Sequence, residues 1–274
     1  GTVDRYEFRE HGVWKTIPFR HDRMAGPAWD GIMLAHDKKN PGSFIGEKDH
    51  ILYNISYVPA QDHLIVKCSM TNTGSTPYAP KQSRLILGID SEMHAYPQWD
   101  TKFFPTMLRC EKDFAWGYFM SPKQTIFGFT TEPVASYAIN YIYEGWLKWK
   151  WGHQIRTASL DMLHCLPLPE RHPQNLTELA PGETKCWHIH MGQIQSLPDV
   201  KSKLSEWAAV PMIECDRYTI TSKESISVRG YSTDSISIAI KGPGIKNQKS
   251  LTTDKKDNLY TTCFRPTQKG EYKI

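Results

Sequence analysis

From residue 50 to residue 194 the chain returns repeatedly to one pattern, apolar and polar side chains in alternation. No stretch before residue 196 holds a helical period over three turns. The runs HLIVKCSMTNTG, SRLILGI, FAWGYFM, TIFGFTT, QIRTASLDML and KCWHIHMGQI share it. A period of two belongs to an extended strand with one buried face. Pro, Gly and Asn punctuate the runs, as Asn72-Thr73-Gly74 closes the first. Strands at such spacing, joined by long loops, predict an all-β chain built on a large antiparallel sandwich.

The pattern changes once, in SLPDVKSKLSEWAAVP. Ser196 is placed as an N-cap with Pro198 in the first turn. Val200, Leu204 and Trp207 recur at i, i+4 and i+7, and Pro211 follows the stop. This predicts a linker helix near 197–209 that docks on the sandwich through Trp207. Beyond it, short Ser/Thr/Ile runs with frequent turns predict an immunoglobulin-like sandwich. Residues 211–274 number 64, short of the roughly 100 such a domain needs. The expected division is a β-supersandwich over 1–195, a linker helix over 196–210 and an incomplete immunoglobulin-like domain over 211–274. A further domain of the same gene product is expected beyond Ile274.

Lys and Arg number 33 against 29 Asp and Glu, a net charge of +4 spread along 274 residues. No basic arm stands out, so nucleic acid is not implied. No apolar run nears the roughly 18 residues of a membrane span. The chain begins GTVDRYEF, without Met, so any signal peptide is expected to have been removed. The six cysteines are scattered without a C-x-x-C pair, and Cys68 sits in apolar alternation, which suits free thiols.

The stretch YAINYIYEGWLKWKW puts three tryptophans within six residues. Tyr137, Ile139, Tyr141, Tyr143, Leu147, Trp149 and Trp151 share one parity, which predicts an inward row. Trp146 shares the other parity with Glu144, Lys148 and Lys150, which predicts an exposed ring. Fifteen residues exceed a usual strand. A bend, or a tight two-residue turn, is therefore expected at Glu144-Gly145.

Chemistry concentrates in LGIDSEMHAYPQWDTKFFPTMLRCEKD, residues 87–113. Asp90, Glu92, His94 and Asp100 are interleaved with Tyr96, Trp99, Phe103 and Phe104. Carboxylates accept hydrogen bonds from sugar hydroxyls while a ring covers the C–H face, and paired carboxylates are what glycoside hydrolysis needs. A solvated loop whose acids cap turns explains the same residues. The candidate carbohydrate-binding residues are Trp146, Trp99, Tyr96, Glu92, His94 and Asp100. Cys186, His188 and His190 alternate along one strand face. They lack an evident further ligand, so neither a transition metal nor a cofactor is expected. In the segment 151–173, Asp161 and His164 read as packing, and Arg171-His172 could reach a carboxylated ligand.

The succession TNTGSTPYAP, LILGID and LAPGETKCWHIHMG, feeding a linker helix, resembles the large β-supersandwich module of bacterial carbohydrate-active enzymes. That module is similar in fold to galactose mutarotase and often precedes an (α/α) toroid in glycoside hydrolases and polysaccharide lyases. The resemblance covers about residues 1–210. The immunoglobulin-like reading of 211–274 departs from it, and no position matches the mutarotase acid/base pair, so no catalytic residue is carried over. The resemblance implies a non-catalytic carbohydrate-binding or positioning portion of a secreted, periplasmic or cell-surface glycan-degrading protein. The rival readings are a hydrolase, lyase or epimerase with its own site in the 90–100 loop, and a structural or adhesive surface protein.

Overall fold

The computed structural model describes residues 5–10, 12–18, 20–21, 24–89, 103–143, 153–165, 174–221 and 223–274. The chain divides into two units, Gly1–Leu197 and Pro198–Ile274.

The first unit opens with the hairpin β1 (Arg5–Glu10) and β2 (Val13–Pro18) and the short pair β3 (Arg20–His21) and β4 (Met24–Ala25). Then come β5 (Ala28–Trp29), β6 (Ala35–His36), β7 (Ser43–Lys48), β8 (Ile51–Pro59), β9 (Leu64–Asn72) and β10 (Ser83–Ile86). The unit continues with β11 (Phe104–Cys110), β12 (Ala115–Met120), β13 (Ile126–Thr131), β14 (Ser136–Tyr143), β15 (His153–Leu163) and β16 (Thr184–Ile194). Eight strands form one antiparallel sheet in the order β11-β12-β13-β16-β9-β8-β7-β6, and four form a second in the order β14-β15-β10-β5. All-β architecture with large antiparallel sheets is as the alternation predicts.

Alternation fixes which side of each strand is buried. On β16, Trp187, Ile189 and Met191 are buried while Cys186, His188 and His190 face away. The partner strand matches, because Trp187 pairs with Cys68 and Ile189 with Val66, both buried. The smaller sheet contributes Trp29, Leu85, Ala158 and Leu160 to the same core. Trp29 ties the layers together: its Nε1 donates to the Asn54 carbonyl of β8 at 3.0 Å, and its ring meets Trp187 edge-on. At Asp49 and His50 both φ angles are positive, the two-residue reversal that suits a hairpin between β7 and β8.

Two edge strands lie near each other on one side of this sandwich. β11 ends the large sheet and β14 ends the small one. β11 is suited to an edge: Pro105 lacks a ladder donor, and the register shift at Thr106 is a bulge. β14 pairs with β15, with Tyr143 opposite His153. A tight turn at Glu144-Gly145 would have set Tyr143 opposite Trp146, so that expectation is corrected. Parity determines which face a strand buries and leaves its partner open, and β15 supplies the buried Ala158 and Leu160 as the apolar complement.

The second unit carries the expected helix, α1 (Val200–Ala208), entered through a 3-10 turn at Leu197–Asp199. Val200, Leu204 and Trp207 are buried, as the i, i+4, i+7 spacing predicts. Asp199 occupies the N-cap in place of the expected Ser196, and left-handed Ala209 ends the helix before Pro211. Ser205 Oγ donates to the Val210 and Tyr231 carbonyls, and Lys201 Nζ to that of Ile213. The remaining strands are β17 (Met212–Cys215), β18 (Ile226–Tyr231), β19 (Ala239–Ile240), β20 (Lys249–Ser250), β21 (Asp254–Lys256) and β22 (Leu259–Phe264). A four-stranded sheet in the order β17-β18-β22-β21 and the pair β19-β20 enclose Val228, Ile238 and Tyr260. The arrangement resembles a small immunoglobulin-like sandwich.

Candidate functional site

β11 and β14, the edge strands of the two sheets, run close to each other and line a groove of about 410 Å³. Its floor is Leu108, Cys110 and Ile139, which pack against the core. Its rim carries Pro105, Thr106, Arg109, Glu111, Ser136 and Tyr137. Tyr137 pairs with Leu160 and so points to the inner side of its sheet, yet it is 41% exposed. The parity argument placed this ring among inward residues. The ring does point inward, but on this edge strand the inward side opens into the groove and leaves it partly in water.

The rim offers an aromatic face, hydroxyls, a guanidinium and a carboxylate within one elongated depression. Such a set can cover the C–H face of a sugar and exchange hydrogen bonds with its hydroxyls. Burial first, then the Asp161 and Glu111 carboxylates, push the thiol of the floor residue Cys110 up to about 12. At neutral pH it stays a thiol, and the thiolate is the reactive form.

Trp146, Trp99, Tyr96, Glu92, His94 and Asp100, the binding residues expected from sequence, lie outside the described residues, as do Arg171 and His172. Their segments bracket the groove along the chain: residues 90–102 lead into β11, and residues 144–152 follow β14. The rim residues Arg109, Glu111 and Tyr137 were not picked out as binding groups. The available signal was a proline followed by charged positions on one short strand, which marks an edge.

Asp161 is buried, with Gln82 Nε2 donating to its Oδ2 at 3.1 Å and the Arg84 guanidinium forming an ion pair with its Oδ1 at 3.5 Å. That is the packing role expected of it. The outer face of β16 is more organised than its letters suggest. Glu132 accepts from His188 twice, at Nδ1 (2.7 Å) and at the backbone N–H (2.6 Å). Burial raises the Glu132 pKa, but these bonds outweigh it and hold the carboxyl below its usual range. His190 Nδ1 meets His63 Nε2 at 3.0 Å, and His63 Nδ1 meets Asp62 Oδ1 at 3.0 Å. Burial, then the neighbouring His63, lowers the His190 pKa to about 4. Among the described residues no group of three or more His, Cys, Asp or Glu is arranged to hold a metal ion. All six cysteines are free. No helix among the described residues is long and apolar enough to cross a membrane.

No known protein-family model matches the sequence, and no curated protein matches it. The fold is similar to that of a solved structure, Polysaccharide Lyase BACCELL_00875, at 15% sequence identity and a TM-score of 0.57. The likeness takes in 98% of this chain and 36% of that one, so the chain spans little more than a third of that protein's length.

Proposed function

We propose that this chain binds a polysaccharide along the groove between β11 and β14, as the non-catalytic, substrate-positioning portion of a secreted or periplasmic glycan-degrading protein. The observation that carries the reading is the fold likeness to a polysaccharide lyase over 98% of the chain. The groove supports it, since it is open along an edge and lined by a ring with polar groups, a shape for a polymer strand. In this reading Tyr137 and Trp146 form ring platforms, joined by Trp99 and Tyr96. Glu92, His94 and Asp100 accept or donate hydroxyl hydrogen bonds. The first body is a galactose-mutarotase-like supersandwich, and further domains of the same gene product supply the reaction centre.

The test is a panel of bacterial, plant and host polysaccharides applied to the full chain, with binding measured by array and calorimetry and products by mass spectrometry. Saturable binding of an intact polymer is expected. Cleaved, unsaturated or epimerised products would move the protein to the enzyme class, with a site of its own in the 90–100 loop. Failure to bind any member would leave a structural or adhesive role.

A further inference from the structure

A smaller pocket of about 190 Å³ lies in the first unit and shares no lining residue with the β11–β14 groove. Its floor is made of hydroxyls: Tyr53 of β8 and Ser83 of β10 are buried, and Tyr78 is half-buried beside them. Its rim is made of charges, Lys48 and Asp49 from the β7–β8 turn, with Asp30 and Arg84 from the β5–β10 pairing. The hydroxyls serve one another poorly. Tyr53 and Tyr78 Oη stand 3.4 Å apart, long for an O–H···O bond, and Ser83 Oγ donates to the Met70 sulfur, a weak acceptor, at 3.5 Å. Burial above all raises the Tyr53 pKa, so this phenol stays a donor. Arg84 is also incompletely used. Its Nη2 donates to Gln82 Oε1, but its buried Nε has no hydrogen bond beyond the ion-pair contact with Asp161, and Nη1 stays 4.0 Å from Asp30 Oδ2. We propose that this pocket binds a single neutral sugar ring, at a site separate from the groove.

The rim selects the charge. Lys48 and Arg84 balance Asp30 and Asp49, so the pocket exerts no net pull on an ion. A carboxylated or phosphorylated ligand would satisfy the floor hydroxyls but face Asp30 and Asp49. An ammonium or a metal ion would suit those carboxylates but face Lys48 and Arg84. A hydroxyl meets both needs, because its oxygen accepts from a phenol or the guanidinium while its hydrogen goes to a carboxylate. The volume selects the length. At roughly 30 Å³ per water the pocket replaces about six waters, the space of one ring and not of a polymer strand. Trp29 lines the pocket but is buried, so hydrogen bonds and not a stacking plane carry recognition. A site of that kind rejects analogues that leave its buried polar groups unpaired. The groove residues take no part, so either site can fail without the other.

The test follows the backbone amides of the isotope-labelled full chain by NMR during titration with the methyl glycosides of glucose, galactose and mannose. Glucuronate and glucosamine serve as the charged counterparts. At least one neutral hexoside is expected to bind with a Kd of about 1–10 mM, the range open to so small a ligand. It should shift the amides of Asp49, Tyr53 and Arg84 and spare those of Arg109 and Tyr137. Tyr78→Phe should weaken binding by about fivefold or more, through loss of one floor hydroxyl. Asp49→Asn should narrow the gap between the hexoside and glucuronate, a change of selectivity that a merely structural role would not produce. If a variant fails to fold, the wild-type amide map still decides. The site is overturned if no hexoside shifts the pocket amides, or if the shifts fall on Arg109 and Tyr137 instead. It is overturned equally if glucuronate or glucosamine binds more tightly than every neutral hexoside.

Discussion

Gly26 and Gly88 meet backbone to backbone: a Cβ on Gly88 would lie 2.5 Å from the Cα of Gly26, and one on Gly26 would lie 2.6 Å from the Ile86 carbonyl oxygen. The two residues flank the short β5–β10 pairing, so the smaller sheet closes on a contact that no side chain can enter. Gly88 also has a φ of +74°, in the region that favours glycine. Gly88→Ala is therefore expected to destabilise the first unit by about 3 kcal/mol or more, through overpacking and backbone strain together. Gly31 separates the two causes, since its φ is +67° but its Cβ would meet open space. Gly31→Ala should cost only about 1–2 kcal/mol. Denaturant unfolding of both variants checks the difference, and equal losses would remove the contact from the explanation.

Asn72 closes the first strand of the alternating series and acts as a three-way tie. Its Nδ2 donates to the Thr76 carbonyl at 2.8 Å and the Leu179 carbonyl at 3.0 Å, and its Oδ1 accepts from Gly74 N–H at 2.9 Å. The side chain is buried, so truncation leaves peptide groups without these partners in a water-poor place. Asn72→Ala is expected to lower stability by about 2–4 kcal/mol. Asn72→Asp, which keeps only the acceptor, should not rescue it. A change below about 0.5 kcal/mol in urea unfolding would assign the tie no weight.

The contrast between β16 and β14 shows what alternation reveals. On β16 the period places Trp187, Ile189 and Met191 in the core, because strands on both sides fix the strand's orientation. On β14 the same period leaves Tyr137 half in water, because nothing in a two-residue repeat says that a strand is an edge. Nor does parity name the partner, so the β14–β15 pairing was hidden behind the nearer aromatic arm. The helix was legible because three apolar positions and two prolines agree. His63 was not, because it lies in a turn and its partner is 127 residues away. Six candidate sugar-binding residues sit in the two segments outside the described residues and stand as sequence expectations.

His190 makes stability depend on acid. Its folded pKa is about 4 against an ordinary 6.5, chiefly through burial, so between those values the unfolded chain binds the proton and the folded chain does not. Stability linked to His190 is thus fully present above about 6.5 and is lost as pH falls toward 4. The loss is at most about 3 kcal/mol for a half-buried ring. Melting temperature should fall over that window in the wild type, with a shallower slope in His190→Gln. Parallel slopes in the two proteins would place the acid sensitivity elsewhere.

The binding reading makes its clearest claim on two aromatic side chains of the same sandwich. Tyr137 stands on the rim of the groove with its ring partly in water, whereas Trp187 is buried and donates from Nε1 to the Pro133 carbonyl at 2.9 Å. An aromatic face contributes about 0.5–1.5 kcal/mol beyond area burial. Tyr137→Ala should therefore weaken polysaccharide binding roughly twofold to tenfold and leave the melting temperature nearly unchanged. Arg109→Ala, on the same rim and exposed, should also weaken binding without unfolding the chain. Trp187→Ala should do the opposite, lowering stability by about 3–5 kcal/mol through loss of a buried indole. Affinity for the best-bound polymer and melting temperature are measured on all three variants. If Tyr137→Ala lowers the melting temperature as much as Trp187→Ala while binding is untouched, the ring belongs to the core. The groove is then not where a glycan lies.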